Sequence, residues 1–286
     1  LAVGAHRGMR MGIEGENLDG VMDAVTFLRN VTVGNPVKLG QSVAVVGGGN
    51  SAIDACRTAL RLGAKKVVLI YRRTREEMPA DPDEIHDAEA EGVEIKYLTL
   101  PSRLTRDNGR FRLECVQMEQ GPFDASGRRR PMPVKGSEFT VSFDTVIGAI
   151  GLLPSLLPFS SGLEILRGER IRIDDDTYQT SHPGVFAGGD AVSGPASVIE
   201  AVAHGKKAAA AIDRYLGGSG DITDVIAPVE PKAPRERAEE DQARYRPSMS
   251  HLSPDERKTS FSQVELGYSR EQAIEEASRC LWCDLE

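Results

Sequence analysis

The sequence has no apolar run approaching the roughly 18 residues that cross a bilayer as a helix, so no membrane insertion is expected. Its first residues, LAVGAHRGMRMG, lack the long apolar core of a secretory signal peptide. Cysteine is scarce: four in 286 residues do not make a disulfide framework, and the expected location is cytoplasmic. A basic surplus is missing too. The net charge is −8, and residues 221–286 hold 15 Asp+Glu against 9 Lys+Arg, which argues against nucleic acid as a partner. The arginines at 128–130 do not reverse this, because they lie in a Gly/Pro-rich stretch that reads as a solvated turn. His6, His86, His182, His204 and His251 show no metal-ligand spacing, and no Ser/His/Asp or Cys/His arrangement is recognisable. No side chain is therefore assigned as a catalytic acid, base or nucleophile. The sequence also starts without Met, and without a turn or helix ahead of its first apolar residues, as though in the middle of a domain.

What is present is an ordinary globular composition, 40% hydrophobic and 27% charged, with length enough for two domains. Within it, VAVVGGGNSAIDACRTALRLGAKKVVLIYRR at residues 43–73 carries the most information. Residues 43–46 are a short β-branched apolar run, which suits a strand buried on both faces. Gly47, Gly49 and Ala52 then match G-x-G-x-x-G/A, with Gly48 between the first two. Gly47 permits the tight turn, Gly49 lets the backbone approach a pyrophosphate, and Ala52 allows close packing of helix on strand. A helix over about residues 51–62 aims its unpaired N–H groups at the phosphate, Gly63 stops it, and residues 66–71 resume the sheet. A lone glycine motif is weak evidence. Strand, turn, helix and second strand in order are strong evidence for a dinucleotide site.

The residues after the second strand bear on which nucleotide binds. An NAD site places Asp or Glu about 20 residues beyond the glycines, to accept from the ribose 2′-OH. Here Arg72 and Arg73 stand there, with Arg75 close behind. A guanidinium fork suits a 2′-phosphate and cannot accept from a hydroxyl, which favours NADP(H) over NAD(H). The competing reading makes these arginines solvated strand-end charges and turns Glu76 or Glu77 back to the ribose.

The chain is expected to divide into four parts: residues 1–35, 36–151, 152–220 and 221–286. The first contains a strand-like LAVGAH and a helix over about residues 21–30. The second is the dinucleotide domain. In it, residues 74–92 give a loop and helix, 93–98 a strand, 104–119 a β-hairpin turning at Asp107-Asn108-Gly109, and 139–143 and 145–150 two more strands. The third holds a strand-like GVFAGGDAV at residues 184–192 and a helix starting near residues 195–197. Gly189 ends that strand, and Asp190 either accepts from sugar or ribityl hydroxyls or merely caps a helix. In the fourth, residues 222–254 read as a charged, Pro-rich linker, and Ser269 and Gln272 fit a capping box opening a helix to about Cys280.

GAHRGMRMGIEGE, GGGNSAIDACR, YRRTREEMPA, VIGAIG, GVFAGGDAVSGPASVIEAVAHGKKAA and EEASRCLWC together resemble the small (β) subunit of NADPH-dependent glutamate synthase and its relatives. The resemblance covers nearly the whole chain and corresponds to the carboxyl-terminal two-thirds of such a protein. It implies an α/β fold of two Rossmann-like dinucleotide-binding domains, the NAD(P) domain inserted in an incomplete FAD domain, plus a carboxyl-terminal extension. It implies that Gly47, Gly48, Gly49, Asn50, Ser51, Arg72 and Arg73 bind NADPH. Asp190, next to Gly189, would hold the FAD ribityl chain, while Ala196, Ser197 and Val198 face the flavin. Ala149, Ile150 and Gly151 would form the crossover near the nicotinamide. The family's FAD domain opens on a glycine motif of its own, and this sequence has only the one at Gly47, so a fragment of a longer polypeptide is expected.

The resemblance also implies that Cys280-Leu281-Trp282-Cys283 belongs to an iron–sulphur ligand set. A cluster needs four ligands and two are here, so idle thiols or half of a zinc site stand as alternatives. Cys56 and Cys115 each stand alone and read as small core residues, which disfavours a disulfide reductase. The expected function is that of an NADPH-linked flavoprotein electron-transfer subunit, an oxidoreductase passing electrons to iron–sulphur centres of a partner subunit. A disulfide reductase-type enzyme and a non-catalytic nucleotide-binding interaction subunit are the alternatives.

Overall fold

A computed structural model of the chain describes residues 1–124, 127–156, 161–222 and 246–278. It has two compact units, Leu1–Ile222 and Thr223–Glu286.

The larger unit is organised around a parallel sheet of five strands: β2 (Val21–Asp23), β3 (Ser42–Gly47), β4 (Lys66–Ile70), β5 (Glu94–Lys96) and β10 (Thr145–Ala149). Their spatial order is β2-β10-β3-β4-β5. The unbroken apolar runs of β3 and β4 follow from burial on both faces. Val43, Val45, Val67 and Leu69 pack against helices α1 (Ala24–Thr32), α2 (Asn50–Arg61) and α3 (Pro82–Ala90). Ala44, Val46, Val68 and Ile70 pack on the other side against Leu104, Phe111, Leu113 and Phe143. Those last residues belong to a second, antiparallel sheet of β6 (Thr99–Asp107), β7 (Arg110–Phe123), β8 (Arg129–Pro133) and β9 (Phe139–Phe143). The result is three layers, with the parallel sheet in the middle.

Local chemistry sets several boundaries. Gly63, at φ 95°, ends α2: its N–H donates to Leu60 O and that of Ala64 to Ala59 O, a Schellman closure. The β6–β7 hairpin turns on Asn108 (φ 50°) and Gly109 (φ 81°), the pair of positive angles a two-residue type I′ turn requires.

Outside the layers, β1 (Ala5–Gly8) and β11 (Leu152–Pro154) form an antiparallel pair through which the chain enters and leaves the sheet region. A small third core of Leu156, Ile171, Ala187 and Ala191 accompanies β12 (Ile165–Leu166), β13 (Arg170–Ile171), α4 (Asp190–Ser193) and the long α5 (Val198–Tyr215). Among the described residues of the smaller unit, α6 (Pro254–Arg257) and α7 (Arg270–Ser278) are helical. The capping box that opens α7 is present: Ser269 N donates to Gln272 Oε1 at 2.9 Å and Gln272 N to Ser269 Oγ at 3.2 Å. Residues 223–245 of the expected linker, and Cys280 and Cys283, lie outside the described residues. No helix among the described residues is long and apolar enough to cross a membrane.

Three expectations are corrected. Val21–Asp23 is a strand, not the start of a helix, because Val21 and Met22 pair in parallel with Val146 and Ile147; Asp23 then caps α1 through Thr26 N. Although inside residues 1–35, β2 and α1 thus belong to the dinucleotide sheet and its helical layer. Residues 184–192 do not form a strand: Phe186 makes an isolated bridge with Gln179, Phe186 and Gly188 bond to Leu1, and residues 190–192 belong to α4, so no ladder forms. Arg129 and Arg130 are not a turn but the start of β8, an edge strand whose Pro131 and Pro133 need no further partner.

Candidate functional site

The carboxyl ends of β3, β4 and β10 open into a cleft of about 830 Å³. Its floor is the glycine turn, and the three glycines there have different reasons to be glycine. At Gly47 (φ +154°) a Cβ would lie 2.1 Å from the carbonyl oxygen of Ala149 on β10, and at Gly48 it would lie 2.4 Å from the Tyr71 ring. At Gly49 the nearest atom would be Pro79 Cγ, 4.0 Å away, so that direction is open to the cleft. Gly49 is also the N-cap of α2, and no side chain caps the helix. An uncovered backbone beneath an uncapped helix start fits a pyrophosphate.

The segment after β4 folds back along one wall. Tyr71 OH donates to Glu77 O at 2.8 Å, Ala80 N donates to Gly48 O at 3.2 Å, and Asp81 N donates to Asn50 Oδ1 at 2.9 Å. Burial pushes the Tyr71 phenol up, against the opposing charges of Arg73 and Arg128. Arg72, exposed, and Arg73, buried, both line the cleft. The Arg73 guanidinium is paired with Asp124 at 2.6 Å. Glu77, the alternative ribose ligand, is occupied otherwise: its carboxylate accepts from Thr74 N and Oγ1 at 3.3 Å and from Arg129 N at 2.6 Å. Neither Glu76 nor Glu77 lines the cleft. Arg128 does, although its sequence context reads as a solvated turn; no local pattern announces it, because the β7–β8 hairpin delivers it from a distance.

The other wall brings Ala149, Ile150 and Gly151 together with Met9, Met11, Pro195 and Ala196. Gly151 (φ +141°) accepts from Met9 N at 2.9 Å. Gly47, Gly48, Gly49, Asn50, Ser51, Arg72, Arg73, Ala149, Ile150, Gly151 and Ala196 therefore share one cleft. Gly189 and Asp190 lie in a second pocket of about 320 Å³ with Leu1, Gly4 and Gly205. Asp190 opens α4, but the N-cap is Gly189 and no side chain caps that helix; α5 is capped by Ser197 with Glu200. The capping alternative for Asp190 thus finds no support. His204, on α5, accepts from Gly189 N through Nδ1 at 3.1 Å and fixes this turn. Ser197 and Val198 line neither pocket.

Cys56, on α2, and Cys115, on β7, are buried and free. Burial pushes both thiols up, Cys115 to about 12, so neither supplies a reactive thiolate. Among the described residues no group of three or more His, Cys, Asp or Glu could hold a metal ion.

A parallel sheet with a glycine turn at its carboxyl edge and arginines after the second strand is the arrangement of a pyridine-nucleotide-linked oxidoreductase. The chain belongs to the Pyridine nucleotide-disulphide oxidoreductase family, which matches residues 1–205. It is 43% identical to the NADP(+)-dependent formate dehydrogenase subunit beta of Moorella thermoacetica, over 99% of this chain and 42% of that one. It is 39% identical to the NADPH-Fe(3+) oxidoreductase subunit beta of Geobacter sulfurreducens, over 99% and 48%. With the Glutamate synthase [NADPH] small chain of Escherichia coli it shares 38% identity over 76% and 50%. The chain thus spans about half the length of these relatives or less. In fold it is similar to T. acidophilum thioredoxin reductase (TM-score 0.55, 20% identity, 75% of this chain and 64% of that one). Mycobacterium tuberculosis FprA in complex with NADPH is comparable (TM-score 0.57, 19% identity, 75% and 62%).

Proposed function

We propose that the whole protein is an NADPH-linked flavoprotein electron-transfer subunit of the cytoplasm, working with a redox partner subunit. The observation that carries this reading is the single cleft uniting the glycine turn, Arg72 and the crossover residues Ala149, Ile150 and Gly151, with Ala196 on its far wall. When bound, NADPH supplies a hydride, and FAD accepts it and releases electrons singly. The chain's own residues orient and bind. The start of α2 and Gly49 receive the pyrophosphate, Arg72 faces the 2′-phosphate, and Ala149, Ile150 and Gly151 border the reacting end. Asp190 accepts from ribityl hydroxyls beside the Gly189 turn. Residues 152–220 and the start of the chain contribute part of an FAD domain around the inserted NAD(P) domain. Relatives named as beta subunits and small chains support a partner, and Cys280 and Cys283 would contribute iron–sulphur ligands.

Full-length protein purified without added flavin is expected to show a flavin spectrum that bleaches anaerobically with NADPH. Flavin-free protein, or flavin that NADPH does not bleach, would overturn the oxidoreductase reading in favour of a nucleotide-binding interaction subunit.

A further inference from the structure

We propose that His204 is a positioning residue for the flavin: by holding the Gly189 turn, it aims the Asp190 carboxylate at the ribityl chain. The inference rests on the FAD reading above and adds the group that prepares Asp190 for that ligand. The residues fit such a chain. Ribityl hydroxyls can donate, Asp190 lines the second pocket, and among the described residues nothing donates to its carboxylate.

The turn before Asp190 needs to be held. Gly189 lies at φ 65° and ψ −155°, a region open essentially to glycine, and glycine is free to leave it. Both of its backbone polar groups are tied. Its carbonyl accepts from Val192 N at 2.9 Å and Ser193 N at 3.1 Å, as α4 begins. Its N–H donates to His204 Nδ1 at 3.1 Å, from a turn 15 residues earlier in the chain. Because a backbone N–H only donates, Nδ1 carries the lone pair and the ring proton sits on Nε2. The ring is itself supported. Tyr178 meets it edge-on, with centroids 5.4 Å apart and planes at 67°. Tyr178 O also accepts from Ala187 N at 3.1 Å, so ring and turn share one support. Gly188 lets α5 come close: a Cβ there would lie 3.2 Å from His204 Cβ. Without the imidazole acceptor, the Gly189 N–H loses its partner and the turn relaxes. FAD must then rebuild the turn as it binds, and affinity is lost.

The test titrates flavin-free full-length protein with FAD, followed by flavin fluorescence, and separately with NADPH. His204→Leu and His204→Asn have nearly the same shape and both lose the ring contact with Tyr178, but only Asn keeps an acceptor near the Nδ1 position. His204→Leu is expected to weaken FAD about tenfold to a hundredfold, the worth of a backbone donor left unsatisfied. His204→Asn is expected to restore most of that loss, with NADPH binding unchanged in both. His204→Gln, whose acceptor is displaced by a methylene, is expected to behave like Leu. In an Asp190→Ala background, His204→Leu is expected to add no more than about twofold, because it acts through Asp190. Asn binding FAD no better than Leu or Gln, NADPH weakening together with FAD, or a full further loss on top of Asp190→Ala would each overturn the role of His204 and leave the flavoprotein reading standing. If wild type binds no FAD, that reading falls and takes this inference with it.

Discussion

Gly47 and Gly49 stand two positions apart in one turn, and a methyl group would test them in opposite ways. At Gly47 it would meet the Ala149 carbonyl oxygen at 2.1 Å, on a backbone with φ +154°, so Gly47→Ala is expected to cost roughly 2 kcal/mol or more of stability in urea unfolding. At Gly49 the angle is an ordinary −95° and the space is open, so Gly49→Ala is expected to stay within about 1 kcal/mol of wild type. Its loss should appear in NADPH titration, because the methyl occupies the direction from which a phosphate approaches. Unchanged NADPH affinity in Gly49→Ala would remove Gly49 from the site. The buried thiols behave differently. With Cys115 pushed up to about 12, its thiolate fraction near pH 8 is about one part in ten thousand, and Cys56 is shifted in the same direction. Iodoacetamide followed by peptide mass spectrometry is expected to leave both unlabelled in the native protein and to label both after unfolding. Native labelling of either would reopen the disulfide-reductase alternative.

At the scale of elements, α2 and α3 are locked by charge as well as by their apolar faces. Glu91, whose side chain is fully buried at the end of α3, receives Arg57 at 2.7 Å and Arg61 at 3.0 Å, four residues apart on α2. Glu91→Ala would leave two guanidinium groups that are 14% and 8% exposed without this partner, and is expected to lose about 3 to 5 kcal/mol in chemical unfolding. A loss below 1 kcal/mol would mean that water or Asp87 takes over the pairing. The same two helices show what sequence makes legible. Strand, turn, α2 and β4 were readable because each follows from neighbours in the chain: β-branched runs, spaced glycines, a stop at Gly63. β2, β8 and the missing strand before α4, at residues 184–189, were not, because a strand exists only where a distant partner offers a ladder. Val21 reads as helical until Val146 lies beside it, and Pro131 and Pro133 read as a loop until β7 presents an edge. The site divides the same way. The glycine turn and Arg72 sit in a local motif, whereas the engagement of Arg73 by Asp124 and the arrival of Arg128 depend on a hairpin some 50 residues further along.

The whole larger unit depends on where its two sheets are joined. The chain passes from β9 in the antiparallel sheet to β10 in the parallel sheet through one residue, Asp144. Its carboxylate accepts from Ser42 N and Oγ at 2.8 Å, at the head of β3, and from Arg110 Nε at 2.9 Å, at the head of β7. One side chain thus fixes β3, β7, β9 and β10 at a common corner, and β10 carries Ala149 into register with Gly47 at the other end. Partial burial works against the Asp144 carboxylate, but the Ser42 and Arg110 bonds outweigh it and hold the group below the usual aspartate range. A lowered value in the folded state means that the bound carboxylate stabilises the fold above the unfolded aspartate range, near 3.9, and that this contribution is lost as pH falls through the lowered value. Asp144→Asn keeps the shape without the charge. It is expected to be less stable than wild type at pH 7, with the difference shrinking below about pH 4 as wild type loses the same interaction. Urea unfolding of both proteins across that range measures it. A gap that stays constant with pH would show that the corner is held by shape and neutral hydrogen bonds, and that the charge on Asp144 is not what joins the sheets.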